Sequence, residues 1–338
     1  MSGGAAYVDS DKPNSVSDAI TIIDHDGQKL IATGAKLPKA IGMHVAGSAG
    51  GKMVVTGGIR MGESGFVSSL KTFLLGGGVS SPEGADLPLS DTTDLITAQI
   101  GDDLNVCGGK TDAGPSEPKC HSYSISRDTW TQLAADLPTK KGPLTLTADG
   151  ERYLYLFFSE NKRNDGEDGS NKTPLRRLRE RQPLPSREAL LKIETQLVVY
   201  RLDVTKPDSQ WTLHSSTPAE EPMIQPVSVY VPGTKRLLTC ALGVEQGRLA
   251  SVCAYYEPAT KRWIKAPTLN GNPGDLSFLT SLRHCAGRVF AFHSHLGGQA
   301  QRKVQTLADG AGAWTTIDVL SANDGFGFFA TACVNAAA

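Results

Sequence analysis

Short apolar runs, separated by glycine, proline, asparagine and aspartate, recur along the whole chain. The clearest unit spans residues 103–138. An apolar run at 104–107 ends in two glycines, an alternating segment follows at 121–125, and Trp130 opens a further short run. Runs of this kind, rich in β-branched and aromatic residues and bounded by turn residues, are typical of antiparallel strands. The pattern therefore predicts a chain built from short strands.

Six pairs of positions, most of them occupied by bulky residues, repeat in register with these runs. Five of the six pairs keep a separation of seven residues, and the first members of the first three pairs lie 50 residues apart. Self-similarity at a period of about 40 to 50 residues indicates a propeller or another repeat array. The pairs are Ile23/Leu30, Phe73/Ser80, Tyr123/Trp130, Tyr200/Trp211, Tyr256/Trp263 and Leu307/Trp314.

Counting the repeated units predicts six blades in a ring that is closed by strands from both termini. Closure of this kind removes free sheet edges and holds the chain ends in place. Five complete units are predicted at residues 42–88, 91–138, 142–218, 225–269 and 277–320. The sixth unit is split, with its second to fourth strands at residues 5–9, 19–24 and 29–33 and its first strand at residues 323–334.

The repeated residues resemble the kelch repeat. An apolar run followed by two glycines, the pairs Tyr123/Trp130 and Tyr256/Trp263, and a closing Leu-Pro are similar to the signature of that family. Two copies are nearly complete, and several others are degenerate. The resemblance covers most of the chain and implies four-stranded blades of a β-propeller. We therefore expect an all-β fold, a six-bladed kelch-type β-propeller that forms a single domain over residues 1–338.

One segment, residues 161–195, interrupts this rhythm. It is charged, punctuated by proline and nearly free of aromatic residues, which predicts a flexible insert after the second strand of the third complete unit. Its basic cluster of Arg176, Arg177 and Arg179 is a candidate docking site for an acidic partner or a phosphate. A solvated loop without a binding role is the alternative.

The balance of charges narrows the range of partners. The chain carries 34 basic and 35 acidic residues, which argues against an extended anionic ligand such as nucleic acid. No window approaches about 18 uncharged apolar residues, and the N-terminal residues lack a basic stretch followed by an apolar one. We therefore expect no nucleic acid and no membrane partner, and a cytoplasmic location.

Most of the six cysteines lie inside apolar runs, where a free thiol behaves as a small apolar side chain. Because cytosolic proteins seldom contain disulfides, the sequence predicts buried, reduced thiols. The alternative is a pair of disulfides, since Cys107 and Cys120 straddle one predicted hairpin and Cys240 and Cys253 straddle the matching hairpin two units later. The spacings do not resemble a zinc site.

The candidate binding residues are basic and lie near the ends of predicted strands. Arg60 and Lys110 follow their diglycines closely, Arg283 lies on the first strand of the last complete unit, and His293 and His295 follow the second strand of that unit. We expect these side chains to converge at one rim of the channel, where they suit a carboxylate or a phosphate. Solvated surface charges and structural histidines are the alternative.

No motif for nucleophilic, metalloprotease, phosphate-loop or dinucleotide chemistry is present, and neither a cofactor nor a metal is predicted. The sequence therefore favours a non-catalytic kelch propeller that acts as a protein–protein interaction module or complex subunit through its loop rim. Its expected partner is a protein, with an acidic peptide or a small anionic ligand as further candidates. By analogy with kelch-type epimerases, the rival prediction is an epimerase-like or mutarotase-like enzyme that acts on a small acidic sugar or another carboxylate at the channel mouth.

Overall fold

Strands make up the regular structure of the described part of the chain in the computed structural model. The described residues are 2–8, 19–23, 30–36, 41, 44–49, 52–62, 65–76, 79–89, 93–110, 118–139, 144–163, 193–219, 223–245, 248–269, 277–295, 301–321 and 326–332. None of them is helical, so this part of the chain contains no helix of the length and apolar character needed to cross a bilayer.

The strands of the described residues match the short apolar runs of the sequence. In chain order they are β1 (Ser2–Val8), β2 (Ala19–Ile23), β3 (Leu30–Lys36), β4 (Val45–Ala49), β5 (Lys52–Thr56), β6 (Ile59–Gly62), β7 (Gly65–Ser68), β8 (Thr72–Gly76), β9 (Val79–Gly84), β10 (Thr93–Ile100), β11 (Asp103–Lys110), β12 (Cys120–Ser124), β13 (Thr129–Gln132), β14 (Leu144–Ala148), β15 (Tyr153–Arg163), β16 (Ile193–Asp203), β17 (Thr212–Pro218), β18 (Ile224–Val231), β19 (Arg236–Glu245), β20 (Arg248–Glu257), β21 (Arg262–Lys265), β22 (Ser277–Cys285), β23 (Arg288–His295), β24 (Gln301–Ala308), β25 (Thr315–Ser321) and β26 (Phe326–Ala332).

Five four-stranded antiparallel sheets are each built from one stretch of the chain. Their strand orders are β4-β5-β8-β9, β10-β11-β12-β13, β14-β15-β16-β17, β18-β19-β20-β21 and β22-β23-β24-β25, and a small ribbon of β6 and β7 follows β5. The first strands of the five sheets contact one another in that order. The fold is therefore an all-β, β-propeller arrangement of sheets, and the sheets begin and end within a few residues of the five complete units predicted from the sequence.

A further four-stranded sheet takes its strands from both ends of the chain, in the order β26-β1-β2-β3. β1 and β26 pair in antiparallel orientation, from Ser2 opposite Ala332 to Val8 opposite Phe326. β26 also contacts β22 and β4, which are the first strands of the last and the first of the five sheets. The strands of this sheet coincide closely with the split unit of the sequence.

Three of the six predicted pairs face each other across neighbouring strands. Ile23 lies opposite Leu30, Tyr123 opposite Trp130, and Tyr256 opposite Trp263. The two Tyr–Trp pairs are in ring contact, with centroids 4.9 Å and 5.0 Å apart. A cross-strand aromatic pair of this kind stabilises a sheet, and the large rings also pack against the preceding blade.

The other three pairs are not directly opposed. Phe73 faces Glu83 and Ser80 faces Leu75, because the register of β8 and β9 shifts between Phe73 and Leu75. A shift between Val199 and Tyr200 sets Tyr200 opposite Leu213 instead of Trp211. Leu307 and Trp314 belong to one buried cluster but lie just beyond the pairing between β24 and β25. β-bulges therefore displace the first two of these pairs, whereas the register of β24 and β25, if continued by one residue, would place Leu307 opposite Trp314.

The prediction that the cysteines are reduced thiols is wrong. Disulfides join Cys107 to Cys120 and Cys240 to Cys253, and within the described ranges no cysteine is free. In each pair the two residues lie directly opposite on neighbouring strands, with Cα atoms 4.1 Å apart. Cys285 is also disulfide-bonded. The apolar runs around the cysteines do not indicate this pairing. It depends on the strand register, which places the sulfur atoms within bonding distance.

The segment predicted as a flexible insert, residues 161–195, begins and ends as strand. β15 and β16 stay paired from Tyr153 opposite Asp203 out to Arg163 opposite Ile193. The hairpin thus projects further than the second and third strands of the other sheets. Arg176, Arg177 and Arg179 lie outside the described residues, so their predicted role stays a prediction.

Candidate binding site at the channel

A cavity of about 240 Å³ lies between the first strands of the five sheets. Residues of β4, β10, β14, β18 and β22 form its walls, together with Leu104 and Pro232. The lining residues come from the C-terminal parts of these strands, such as Ser48, Gln99 and Ala148. The cavity therefore opens at the end of the propeller where each first strand turns into the second.

Small side chains line much of the wall. Ala46, Ala98 and Ala148 face the cavity from three successive blades. Next to them, a Cβ atom added to Gly47 would lie 2.5 Å from Cδ1 of Leu104, which is fully buried in the neighbouring blade. Glycine at this position lets two blades approach closely.

Gln99 joins two blades at the cavity. Its side-chain oxygen accepts a hydrogen bond of 2.7 Å from the backbone N–H of Ser48 on β4. Its Nε2 donates to the backbone carbonyl of Ser48 and, at 3.1 Å, to that of Gly101. The amide therefore satisfies both backbone groups of Ser48 in the preceding blade, as a residue of an additional strand would.

Several hydroxyl groups of the lining residues are engaged within their own blades. Thr97 donates from Oγ1 to the carbonyl of Asn105 at 2.9 Å, and the hydroxyls of Ser228 and Thr239 share a hydrogen bond of 2.8 Å. Buried hydroxyls are normally satisfied in this way. Two neighbouring residues of β22, Arg283 and His284, bring basic side chains to the cavity.

The first is Arg283, whose half-buried side chain reaches across the channel. Its Nη1 donates to the carbonyl of Leu282 at 3.1 Å, and its Nη2 lies 3.5 Å from the carbonyl of Ala46 on β4. Burial lowers the pKa of Arg283 to about 10. At neutral pH the guanidinium keeps its positive charge in a partly desolvated position.

The second is His284, which is held by a carboxylate. Its Nε2 lies 3.1 Å from both Oδ1 and Oδ2 of Asp309, which follows β24. Asp309 also packs against the turn between β18 and β19, since a Cβ atom on Gly233 would lie 2.8 Å from its Oδ2. The pair therefore connects two blades and fixes the imidazole at the wall of the cavity.

The structure separates the residues predicted to share one rim. Arg283 lies opposite Phe290, whereas His293 lies opposite Leu279 and His295 opposite Ser277. At ~3.3 Å per residue, the two histidines are therefore roughly 13 to 20 Å from the level of Arg283 along the strand. His293 is buried, and the side chain of His295 is outside the description.

The remaining candidates lie with the histidines at the opposite end. Lys110 is opposite Thr93, the first residue of its inner strand, and nothing is described of its side chain. Arg60 is exposed on β6, beyond the end of β5. Of the predicted set, Arg283 therefore stands at the cavity, while Arg60, Lys110, His293 and His295 belong to the other rim.

Neither a protein-family model nor a curated protein sequence matches the chain. The kelch resemblance therefore depends on the repeat residues described above. In the part of the chain that the structure describes, no group of three or more His, Cys, Asp or Glu residues is placed to hold a metal ion.

Sequence reasoning missed Gln99 and Asp309. Gln99 lies near the end of β10 as one polar residue among many, and its partner Ser48 is in another blade. Asp309 is separated from His284 by two strands. A signal for either contact exists only once the register of the sheets is known.

Proposed function

We propose that the chain is a non-catalytic β-propeller of the kelch type that binds a protein partner through the loops around the cavity mouth. In this proposal six blades form the ring, and the sheet of β26, β1, β2 and β3 closes it. The pairing of β1 with β26 and the contacts of β26 with both β22 and β4 support that closure.

The size of the cavity is the observation that carries the proposal. Its volume of about 240 Å³ is below the ~300 to 1,000 Å³ of most sites that enclose a small molecule. A cavity of this size suits one protruding side chain of a macromolecule better than a whole sugar. An interaction module needs no more than that.

The turns around the mouth supply a polar rim. Arg152 and Asp203 form an ion pair at 2.6 Å, and Arg236 and Glu257 form the corresponding pair of the next blade at 3.1 Å. Both pairs join the start of a second strand to the end of a third strand, at the end of the propeller that carries the cavity. Protein interfaces combine such a polar rim with a central buried anchor.

Affinity capture with the full chain tests which end binds the partner. The test variant reverses two exposed charges at the cavity end, Lys235→Glu with Arg262→Glu, and the matched control is Arg60→Glu at the other end. We expect one partner to be retained by the wild type and the control and lost by the test variant. The proposal is contradicted if the wild type captures no protein, or if the partner is lost only in the Arg60→Glu variant.

The second candidate function is an epimerase-like or mutarotase-like enzyme, and the His284–Asp309 pair favours it. A histidine held by a carboxylate is a suitable general base, and Arg283 lines the same cavity. The enzyme would accelerate the interconversion of the anomers of glucuronate or a sialic acid, which exchange NMR detects. An acceleration that is abolished by His284→Gln would replace the interaction module with the enzyme.

A further inference from the structure

The turns at the cavity end of the propeller carry opposite charges on two pairs of neighbouring sheets. This end holds the turns from first to second strands and, because the sheets are antiparallel, also the turns from third to fourth strands. The first strands β10, β14, β18 and β22 contact one another in that order. The sheets of β10–β13 and β14–β17 are therefore neighbours, as are the sheets of β18–β21 and β22–β25.

The first pair of sheets presents carboxylates at this end. Its exposed or half-exposed acidic residues include Asp102, Asp103, Glu151 and Asp208, which we call the acidic patch. Basic residues in the same turns are fewer. Nη2 of Arg152 lies 2.6 Å from Oδ2 of Asp203, and Nζ of Lys206 lies 3.8 Å from the same oxygen. Arg127 donates from Nε to the hydroxyl of Ser124, so carboxylates remain in excess on this side.

The second pair of sheets presents basic side chains at the same end. The exposed residues of its turns include Lys235, Lys261, Arg262 and Arg288, which we call the basic patch. The carboxylates in these turns already have basic partners. Glu257 forms an ion pair with Arg236 at 3.1 Å, and Asp309 lies 3.1 Å from Nε2 of His284. Positive charge is therefore in excess on this side.

Two lysines of the basic patch occupy left-handed backbone positions. The angle φ is 54° at Lys235 and 58° at Lys261. In the acidic sheets, the turns between first and second strands contain Gly101 and Gly150 at positive φ, a conformation that glycine takes without steric cost. A lysine in this conformation costs more. The cost is understandable if the charge at the tip of the turn makes a contact with another molecule.

The two patches are complementary in charge, and one chain carries both. When two copies meet with their cavity ends together around a twofold axis, the acidic patch of each copy lies against the basic patch of the other. Twofold contacts between identical surfaces are the commonest form of homo-oligomer. Charge complementarity also fixes the register of such a contact, because like charges in opposition are disfavoured.

We propose that two copies of the chain associate through their cavity ends, with the acidic patch of each on the basic patch of the other. The inference rests on the proposed function, since it uses the same end of the propeller, and it names the partner as a second copy. A single exposed ion pair contributes little. The contact therefore depends on several pairs formed together, and we expect a weak dimer that is sensitive to salt.

Sedimentation equilibrium of the full chain measures this association. We expect dimers that dissociate when the salt concentration rises from about 0.1 M to about 1 M, because the screening length falls from roughly 10 Å to roughly 3 Å. The acidic variant is Lys235→Glu with Arg262→Glu, and the basic variant is Glu151→Lys with Asp208→Lys. Each should weaken association about tenfold or more, because like charges then oppose each other.

A mixture of the two variants gives the sharpest comparison. Both patches of the acidic variant then face both patches of the basic variant, so a heterodimer should form although neither variant associates alone. The matched control is Arg60→Glu with Lys119→Glu, which reverses two exposed charges at the opposite end. This control should leave association of the chain within about twofold of the wild type.

The inference is overturned if the wild type stays monomeric at every concentration, or if the acidic variant dimerises as the wild type does. It is also overturned if the two folded variants form no heterodimer. A thermal melt of each variant shows whether it is folded. If one variant does not fold, the salt dependence of the wild type and the association of the other variant decide the question.

The failures of the two proposals are distinguishable. If the wild type stays monomeric but captures a different protein that the acidic variant loses, the proposed function stands and self-association is wrong. If dimers form with the expected charge dependence but the chain also accelerates anomer exchange in a way that His284→Gln abolishes, self-association stands and the proposed function is wrong.

Discussion

The indole N–H of Trp130 donates a hydrogen bond of 2.9 Å to the backbone carbonyl of Ala85 in the preceding blade. Trp314 makes the same bond of 2.9 Å to the carbonyl of Pro267, again in the residues that follow the last strand of the preceding blade. Each tryptophan begins or precedes a fourth strand, so the bond joins the outer parts of neighbouring blades. The repeated tryptophan therefore has a polar role as well as a packing role.

Trp130→Phe removes this bond and leaves the carbonyl of Ala85 without its donor. We expect the free energy of unfolding to fall by about 1 to 2 kcal/mol beyond the loss of ring area. Trp263→Phe is the control, because the indole N–H of Trp263 has no hydrogen-bond partner in the described structure. Urea unfolding of both variants measures the difference, and equal losses would show that the bond contributes nothing.

Gly47→Ala should separate two blades. The added methyl group would lie 2.5 Å from Cδ1 of Leu104 and 3.1 Å from Oε1 of Gln99, so we expect a loss of about 1 to 3 kcal/mol from overpacking. Gly312→Ala is the matched control, since nothing lies within 4 Å of its added methyl group. Thermal unfolding compares the two, and a stable Gly47→Ala variant would argue against close approach at this position.

His214 should make the fold sensitive to mild acid. Burial, followed by the charges of Arg201 and Lys261, lowers the pKa of His214 to about 4, and its Nδ1 lies 2.6 Å from the hydroxyl of Tyr256. Below the unfolded pKa of about 6.5, the unfolded chain binds a proton that the folded chain does not. Stability is therefore complete above that pH and is lost as the pH falls towards 4.

The loss should amount to roughly 2 kcal/mol between pH 7 and pH 5. His214→Asn, which does not titrate, should reduce this dependence, and urea unfolding at a series of pH values measures it. The same slope in wild type and variant would assign the acid sensitivity to other groups.

The paired cysteines should stabilise the chain in their oxidised form. Each described disulfide joins residues 13 apart, and a loop of this size corresponds to roughly 3 kcal/mol. We expect the double variant Cys240→Ala with Cys253→Ala, and likewise Cys107→Ala with Cys120→Ala, to melt at a lower temperature than the wild type. Mass spectrometry after alkylation checks the premise, because labelling of these cysteines before reduction would contradict it.

The sequence predicted the fold better than it predicted the site, and the reason is the range of the contacts. Tyr123 and Trp130 are close in sequence and opposite in the sheet, so a hairpin could be inferred from their spacing alone. Phe73 shows the limit of that inference, because a bulge of one strand moves its partner from Ser80 to Glu83. Local spacing predicts the existence of strands but not their register.

The site depends on contacts between blades. Arg283 was predicted as a binding residue, yet its contact with Ala46 joins residues 237 apart in the chain. Lys110, His293 and His295 lie in the last part of second strands and Arg60 follows one, and the antiparallel pairing places those strand ends away from the cavity. The prediction of reduced cysteines failed for a related reason, since an apolar neighbourhood suits a buried thiol and a buried disulfide equally well.

The pairing of Ser2 with Ala332 has a consequence for how the protein is made. β1 can meet β26 only after all of the chain between them has been synthesised. Until then β1 presents an unpaired edge, which other chains can join. Newly made protein should therefore depend on dilution or on chaperones until β26 has been made.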